Sequence, residues 1–234
     1  MTLEMCKLAI RDGITHIVAT PHANNTYEYS RDRVRDLVTE LGNKVGDQLA
    51  VSIGCDFHLS FENIEDAIAH PRRYTIAAKQ YLLVECSEYG IPPQVSDGLF
   101  RLQAAGMVPI ITHPERNAIL QRHPERVLEW VGAGCLVQVT ASSVTGFWGA
   151  IAKRSAIWLL EHDVVHVLAS DAHNDKRRAP ILSKARDDVS KRFGADVARA
   201  LVLDNPSAIV TGRPLGAHRV GSQPIDSAGV PYIC

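Results

Sequence analysis

Apolar residues along the chain fall into short runs separated by stretches with helical spacing. Met5, Cys6, Ala9 and Ile10 share one face of a predicted helix over the first eleven or so residues, which Gly13 ends. The β-branched run ITHIVAT then reads as a strand finishing at Pro21 and His22. A polar helix is expected from about Ser30, a suitable N-cap, to Leu41, with Gly42 as its stop. LAVSIG is a strand running into Cys55 and Asp56, and a short helix is expected near Phe61 to Ala69. YLLVE is a strand ending at Glu85.

The alternation continues with a helix over about Gln94 to Ala105 and the strand MVPIIT ending at His113. Pro124 is placed to open a helix reaching about Val131, ahead of the strand CLVQVT. A helix over roughly Ala150 to Glu161 precedes VVHVLAS, a strand ending at Asp171. Two helices over about 180–193 and 195–203 and a capped turn at DNPSAIV close the pattern. The Gly-, Pro- and Ser-containing tail, 213–234, shows no periodicity and is expected to be poorly structured, which leaves 1–212 as one domain.

Six apolar strands alternating with helices imply an α/β fold with a parallel sheet. In such sheets functional groups gather at the C-terminal ends of the strands, whether the sheet is open or closed into a barrel. His22, Asp56, Glu85, His113, Asp171 and His173 all fall there. The chain opens on a helix that has no strand before it, so the barrel is expected to lack its first strand.

Composition changes this picture little. With 234 residues, 46% hydrophobic and 22% charged, the chain is an ordinary globular one. A net charge of −1 gives no sign of a nucleic-acid partner. No apolar run reaches the ~18 residues of a membrane span. The N-terminus has no signal-peptide pattern, so a cytoplasmic location is expected. Five widely spaced cysteines form no C-x-x-C pair and read as reduced, mostly buried thiols. None is followed six positions later by an arginine, the spacing of a thiolate phosphatase loop.

Each strand-end residue alone has an ordinary reading: a satisfied core histidine, or a carboxylate capping the next helix. Their recurrence on five strands in chain order is what argues for a site. His16, His70, His123, His162, His166 and His218 do not share that position and read as structural or solvated. Three histidines with three carboxylates suit divalent zinc, manganese or iron. Six ligands exceed the need of one structural zinc, so two or three ions sharing bridging carboxylates is the natural reading. Such clusters hydrolyse phosphate esters. Arg116 and the stretch Lys176 to Arg178 lie beside the ligand positions, and arginine grips phosphate through two nitrogens.

GITHIVATPH, GCDFHLS, YLLVE, PIITHPERN, VQVTASS and VLASDAHN resemble, in order over residues 1–212, the PHP-type (polymerase and histidinol phosphatase) protein-tyrosine phosphatases of bacterial capsule and exopolysaccharide operons. The resemblance implies a distorted (β/α)7 TIM-like barrel, up to three metal ions, often Mn2+, and phosphotyrosine hydrolysis without a cysteine nucleophile. The implied substrate is the tyrosine-rich tail of a bacterial tyrosine kinase. His22 and His173 then resemble third-metal ligands, Glu85 and His113 second-metal ligands, and Asp171 a first-metal ligand. Asp56 stands where relatives commonly have a bridging glutamate, one methylene longer. Arg116 and Arg178 match the phosphate-binding arginines, and with His113 make the implied catalytic set.

The family also begins with a D-x-H-x-H strand and an aspartate in a DDG-like loop, which these 234 residues do not contain. A chain without them is expected to fold poorly and to have little activity. A histidinol-phosphatase-like phosphomonoesterase, or a catalytically impaired phosphotyrosine- or kinase-binding remnant, are the other two readings.

Overall fold

The structure, a computed structural model, describes residues 1–24, 26–215 and 232–233. Among the described residues nine strands run in chain order: β1 Ile14–Ala19, β2 His22–Ala23, β3 Ala50–Ile53, β4 Asp56–His58, β5 Tyr81–Glu85, β6 Val108–Thr112, β7 Leu136–Thr140, β8 Val167–Ala169 and β9 Tyr232–Ile233. The helices are α1 Thr2–Arg11, α2 Arg31–Val45, α3 Phe61–Ala69, α4 Pro71–Tyr74, α5 Gln94–Ala104, α6 Ala118–Arg122, α7 Glu125–Gly132, α8 Ala141–Val144, α9 Gly149–Glu161, α10 Ser183–Phe193, α11 Ala195–Arg199 and α12 Asn205–Thr211. Every strand pair in the register is parallel.

The strands form two ladders with no strand in common. β3–β1–β9 forms one, and β2–β4–β5–β6–β7–β8 the other. β1 continues into β2 through Thr20–Pro21, and β3 into β4 through Gly54–Cys55, so the ladders are one curled sheet with a step. The step is tight: a Cβ on Gly54 would lie 3.1 Å from both the Thr20 and Val18 side chains. The Gly54 carbonyl accepts from the Tyr29 hydroxyl (3.0 Å).

Strand alternation sorts the side chains into two apolar clusters. Leu82 and Val84 of β5, Ile111 of β6, Val137 and Val139 of β7 and Phe57 of β4 pack into the main core with the helices. Tyr81, Leu83, Val108, Ile110, Leu136 and Val167 make a smaller cluster on the opposite face. Asp56, Glu85 and Thr112 continue that second face to the C-terminal ends of the strands. The period-2 pattern therefore delivers carboxylates and apolar residues to the same inner surface.

Among the described residues no ladder joins β8 back to β1 or β9, so the parallel α/β sheet expected is present but the pairing is open and does not make the expected TIM-like barrel. β8 is only three residues long, and β1 meets the two-residue β9 instead, Ile14 opposite Tyr232 and His16 opposite Ile233. Residues 216–231 and 234 of the expected tail lie outside the described residues. α2 runs past the expected stop at Gly42, because the residue that turns left-handed is Gly46 (φ 66°). Ser30 caps this helix as expected, accepting from the Arg33 amide.

Asn117, the last residue of HPERN, caps α6 from a buried position. Its Oδ1 accepts from the Ile119 and Leu120 amides (3.0 and 3.2 Å), and its Nδ2 donates to the Ser87 carbonyl (3.1 Å). Asn117→Ala removes a cap and strands a buried carbonyl, and we predict a loss of about 2 kcal/mol. A urea midpoint unchanged from the parent chain would contradict this.

Candidate metal centre

Five of the strand ends place a site residue at one mouth of the curled sheet. His22 opens β2, Asp56 opens β4 and Glu85 closes β5, with His22 paired to Asp56 in register. His113 follows β6, and Asp171 and His173 follow β8. His113 and Asp171 both take left-handed backbone (φ 36° and 49°). Non-glycine residues rarely adopt this region, and such outliers concentrate at functional sites. A cavity of about 970 Å³ opens at this end, bordered by His22, Asp56, His113, Asp171 and His173.

His22, Asp56 and Glu85 each offer a ligand atom, and these atoms lie within 4.8 Å of one another. His22 Nδ1 is 3.3 Å from Asp56 Oδ2 and 3.5 Å from Glu85 Oε2. Neither contact has hydrogen-bond geometry, and both His22 Nδ1 and Asp56 Oδ1 are buried without a partner. Orphaned buried donors and acceptors are rare in folded chains. One imidazole nitrogen facing two carboxylates is a donor set that fits a divalent cation of the zinc, manganese or iron type. His113 adjoins the group, its Nε2 3.6 Å from Glu85 Oε1.

Asp171 stands at the other side of the mouth with different partners. Its Oδ2 accepts from Arg116 Nη1 and from Arg178 Nη2, the latter at 2.5 Å. His173 lies close, Nδ1 3.7 Å from Asp171 Oδ1 and its ring 6.2 Å from that of His22. All six expected ligands and both expected arginines are thus drawn to one mouth, but as two groups. His22, Asp56, Glu85 and His113 form one; Asp171, His173, Arg116 and Arg178 form the other.

The electrostatics follow from burial and charge. Burial, then the charge of Glu85, pushes Asp56 up to about 7. The Glu85 and Asp56 carboxylates raise His22 against its desolvation. Burial would also raise Glu85, but His22, His113 and His58 outweigh it and hold it low. Burial and the Arg116 charge push His113 down to about 4, so its imidazole is neutral at pH 7. Burial of Asp171 is outweighed by Arg116, His113 and Arg178, which keep it ionised.

Asp56 and His22 both hold their protons more tightly when folded. A cation must displace those protons, so we predict that metal affinity rises with pH through about 7. Without metal the sign reverses for stability. Asp56 contributes most when protonated, and that contribution fades as pH rises from its ordinary 3.8 to about 7. Titration calorimetry between pH 5.5 and 8 checks the first statement, and an affinity flat over that range would contradict it. Urea unfolding of chelator-treated protein checks the second.

The remaining histidines are placed as expected where they are described. His16 meets Ser52 (2.7 Å), His70 meets Asp66, His123 meets Glu125, His162 stacks on Trp158 and His166 accepts from the Val137 amide. His218 lies outside the described residues. Two participants escaped the sequence reading. His58 pairs with Glu85 in register, and its i, i+2 spacing from Asp56 was the available signal. Glu115, fully buried between His113 and Arg116, accepts from the Thr140 amide (3.1 Å) and the Ser143 hydroxyl (2.7 Å).

A parallel α/β scaffold with histidines and carboxylates at its strand ends, bordered by paired arginines, defines a candidate metallohydrolase. The CpsB/CapC family of capsular polysaccharide synthesis proteins matches over residues 1–211, and the chain belongs to it. It is 31% identical over 209 residues to the tyrosine-protein phosphatase CpsB of Streptococcus pneumoniae, covering 86% of each chain. It is 30% identical over 200 residues to the tyrosine-protein phosphatase YwqE of Bacillus subtilis, covering 84% of this chain and 78% of that one. A solved structure from work on YwqE and CpsB, described there as unique metal-dependent tyrosine phosphatases, superposes with a TM-score of 0.85 at 28% identity. That match covers 96% of this chain and 91% of the other. Among the described residues no helix is long and apolar enough to cross a membrane.

Proposed function

We propose that the protein is a metal-dependent tyrosine-protein phosphatase that acts in the cytoplasm on a tyrosine kinase tail controlling capsule or exopolysaccharide synthesis. The observation that carries this reading is the His22–Asp56–Glu85 group with its two orphaned ligand atoms, in a chain similar to tyrosine phosphatases along most of its length. The same reading takes the curled parallel sheet as a distorted seven-stranded barrel of the polymerase and histidinol phosphatase type.

His22, Asp56, Glu85, His113, Asp171 and His173 would hold manganese, up to three ions in a complete site. When bound, the metal supplies charge neutralisation and an acidified water. The chain's residues do the rest. His113, neutral at pH 7, keeps a lone pair for the cation. Arg116 and Arg178 orient the phosphoryl oxygens and offset their charge. Hydrolysis adds the water oxygen to phosphorus and breaks the bond to the phenolic oxygen, which leaves with a proton as tyrosine. The large mouth admits an aromatic ester, and no thiol takes part.

The test is phosphate release by the manganese-loaded chain from a phosphotyrosine peptide and from histidinol phosphate. The peptide is expected to be the better substrate. Faster turnover of histidinol phosphate would overturn the tyrosine reading in favour of a small-molecule phosphomonoesterase.

A further inference from the structure

We propose that Trp148 is a positioning residue that holds Arg116 and Arg178 together as a single anion clamp. This rests on the reading of both arginines as phosphate-binding groups.

The two guanidinium groups come from separate loops, one after β6 and one after β8, and as like charges they repel. Asp171 accepts from both at one edge. The Trp148 ring lies against both from another side, 4.1 Å from ring centroid to the Arg116 guanidinium carbon and 5.3 Å to that of Arg178. Trp offers the strongest cation–π face of the aromatic residues. A guanidinium that stacks by its face leaves N–H groups on its rim to meet phosphate oxygens. Arg178 Nε is buried and has no partner.

The ring itself is fixed from below. Gly146 and Gly149, both at positive φ (93° and 89°), flank Phe147 and Trp148 and turn the pair out of the α8–α9 connection. The indole Nε1–H donates to Ser142 Oγ (2.9 Å). Ser142 sits between Thr140 and Ser143, the two residues that Glu115 holds through its Oε1. Arg116 directly follows Glu115, so the ring and its first arginine are referenced to one buried carboxylate. Phe147 packs edge-on against Trp148 (5.3 Å, 88°) and carries Arg177 at 5.7 Å. The arrangement orders two long cationic side chains before an anion arrives, which lowers the entropy cost of binding it.

The test uses the manganese-loaded full chain with inorganic phosphate as the probe, read as its inhibition constant against a phosphotyrosine peptide. Metal content and melting temperature are measured alongside. Trp148→Leu is expected to weaken phosphate about tenfold with metal content unchanged, and Trp148→Phe, which keeps a ring face, two- to threefold. In a Trp130→Phe/Trp158→Phe chain the remaining indole is expected to change its emission saturably as phosphate is added, at the same constant. Arg116→Ala and Arg178→Ala report on the underlying reading. If they weaken phosphate while Trp148→Leu does not, or if Leu and Phe weaken it equally, the positioning role is wrong. A silent indole emission would also overturn it. If neither arginine variant weakens phosphate, the phosphate reading beneath it fails first.

Discussion

Chelation of the manganese-loaded protein is expected to reduce phosphotyrosine hydrolysis by roughly 10³-fold, with recovery on restoring manganese, while thiol alkylation leaves the rate unchanged. Several kcal/mol of charge stabilisation from bound metal corresponds to a factor of that order. The donors suit this. His22 Nδ1 and Asp56 Oδ1 have no hydrogen bond to lose when a cation arrives. The thiols among the described residues are unsuited to nucleophilic work. Cys6, Cys55, Cys86 and Cys135 are all buried, and burial raises each of them, Cys86 to about 12 and Cys135 to about 11. A thiol is nucleophilic only as thiolate, and these remain protonated at pH 7. Inactivation by iodoacetamide without metal loss, or full activity in excess EDTA, would remove metal from the reaction.

Removing either arginine is expected to cut catalytic efficiency on the order of 10²-fold while leaving bound metal nearly intact. Arg116→Ala and Arg178→Ala would each delete a proposed charge-assisted contact to phosphate. Each also takes one cation from Asp171, but the other arginine remains beside that carboxylate. Asp171 therefore stays ionised and able to serve a cation. His113→Ala and Asp171→Ala, in contrast, are expected to lower metal content itself. The double arginine variant should fall short of the product of the single losses, because both groups share Asp171 and such coupled pairs are not additive. Equal metal loss in all four single variants, measured by elemental analysis beside steady-state kinetics, would undo the division into metal and phosphate residues.

The alternation of strands and helices was legible because each strand is a compact apolar run with a break behind it. ITHIVAT, YLLVE and VPIIT became β1, β5 and β6 almost residue for residue. Position at strand ends then singled out His22, Asp56, Glu85, His113, Asp171 and His173 as candidates without any contact information. What the linear pattern hid was grouping. That Asp171 faces two arginines while Asp56 faces His22 depends on how β4 and β8 are separated across the curled sheet. Short elements were also invisible. α6 and α8 have five and four residues, too few for a periodic signal. Trp148 carried no sequence signal, since its ring meets two arginines distant in sequence. β9 spans two residues in a stretch without periodicity, and only its pairing with β1 reveals it.

The left-handed backbone at His113 and Asp171 sets durability against use. A side chain held there costs up to roughly 1–2 kcal/mol relative to an ordinary conformation, less for an aspartate, and glycine would relieve much of it. A thermal screen of variants at these two positions, blind to hydrolysis, should therefore enrich the substitutions that erase a proposed metal ligand. Sequences that endure heat best and sequences that keep the site will diverge first at these two corners. Engineering a sturdier form of this scaffold should begin by excluding them from the library.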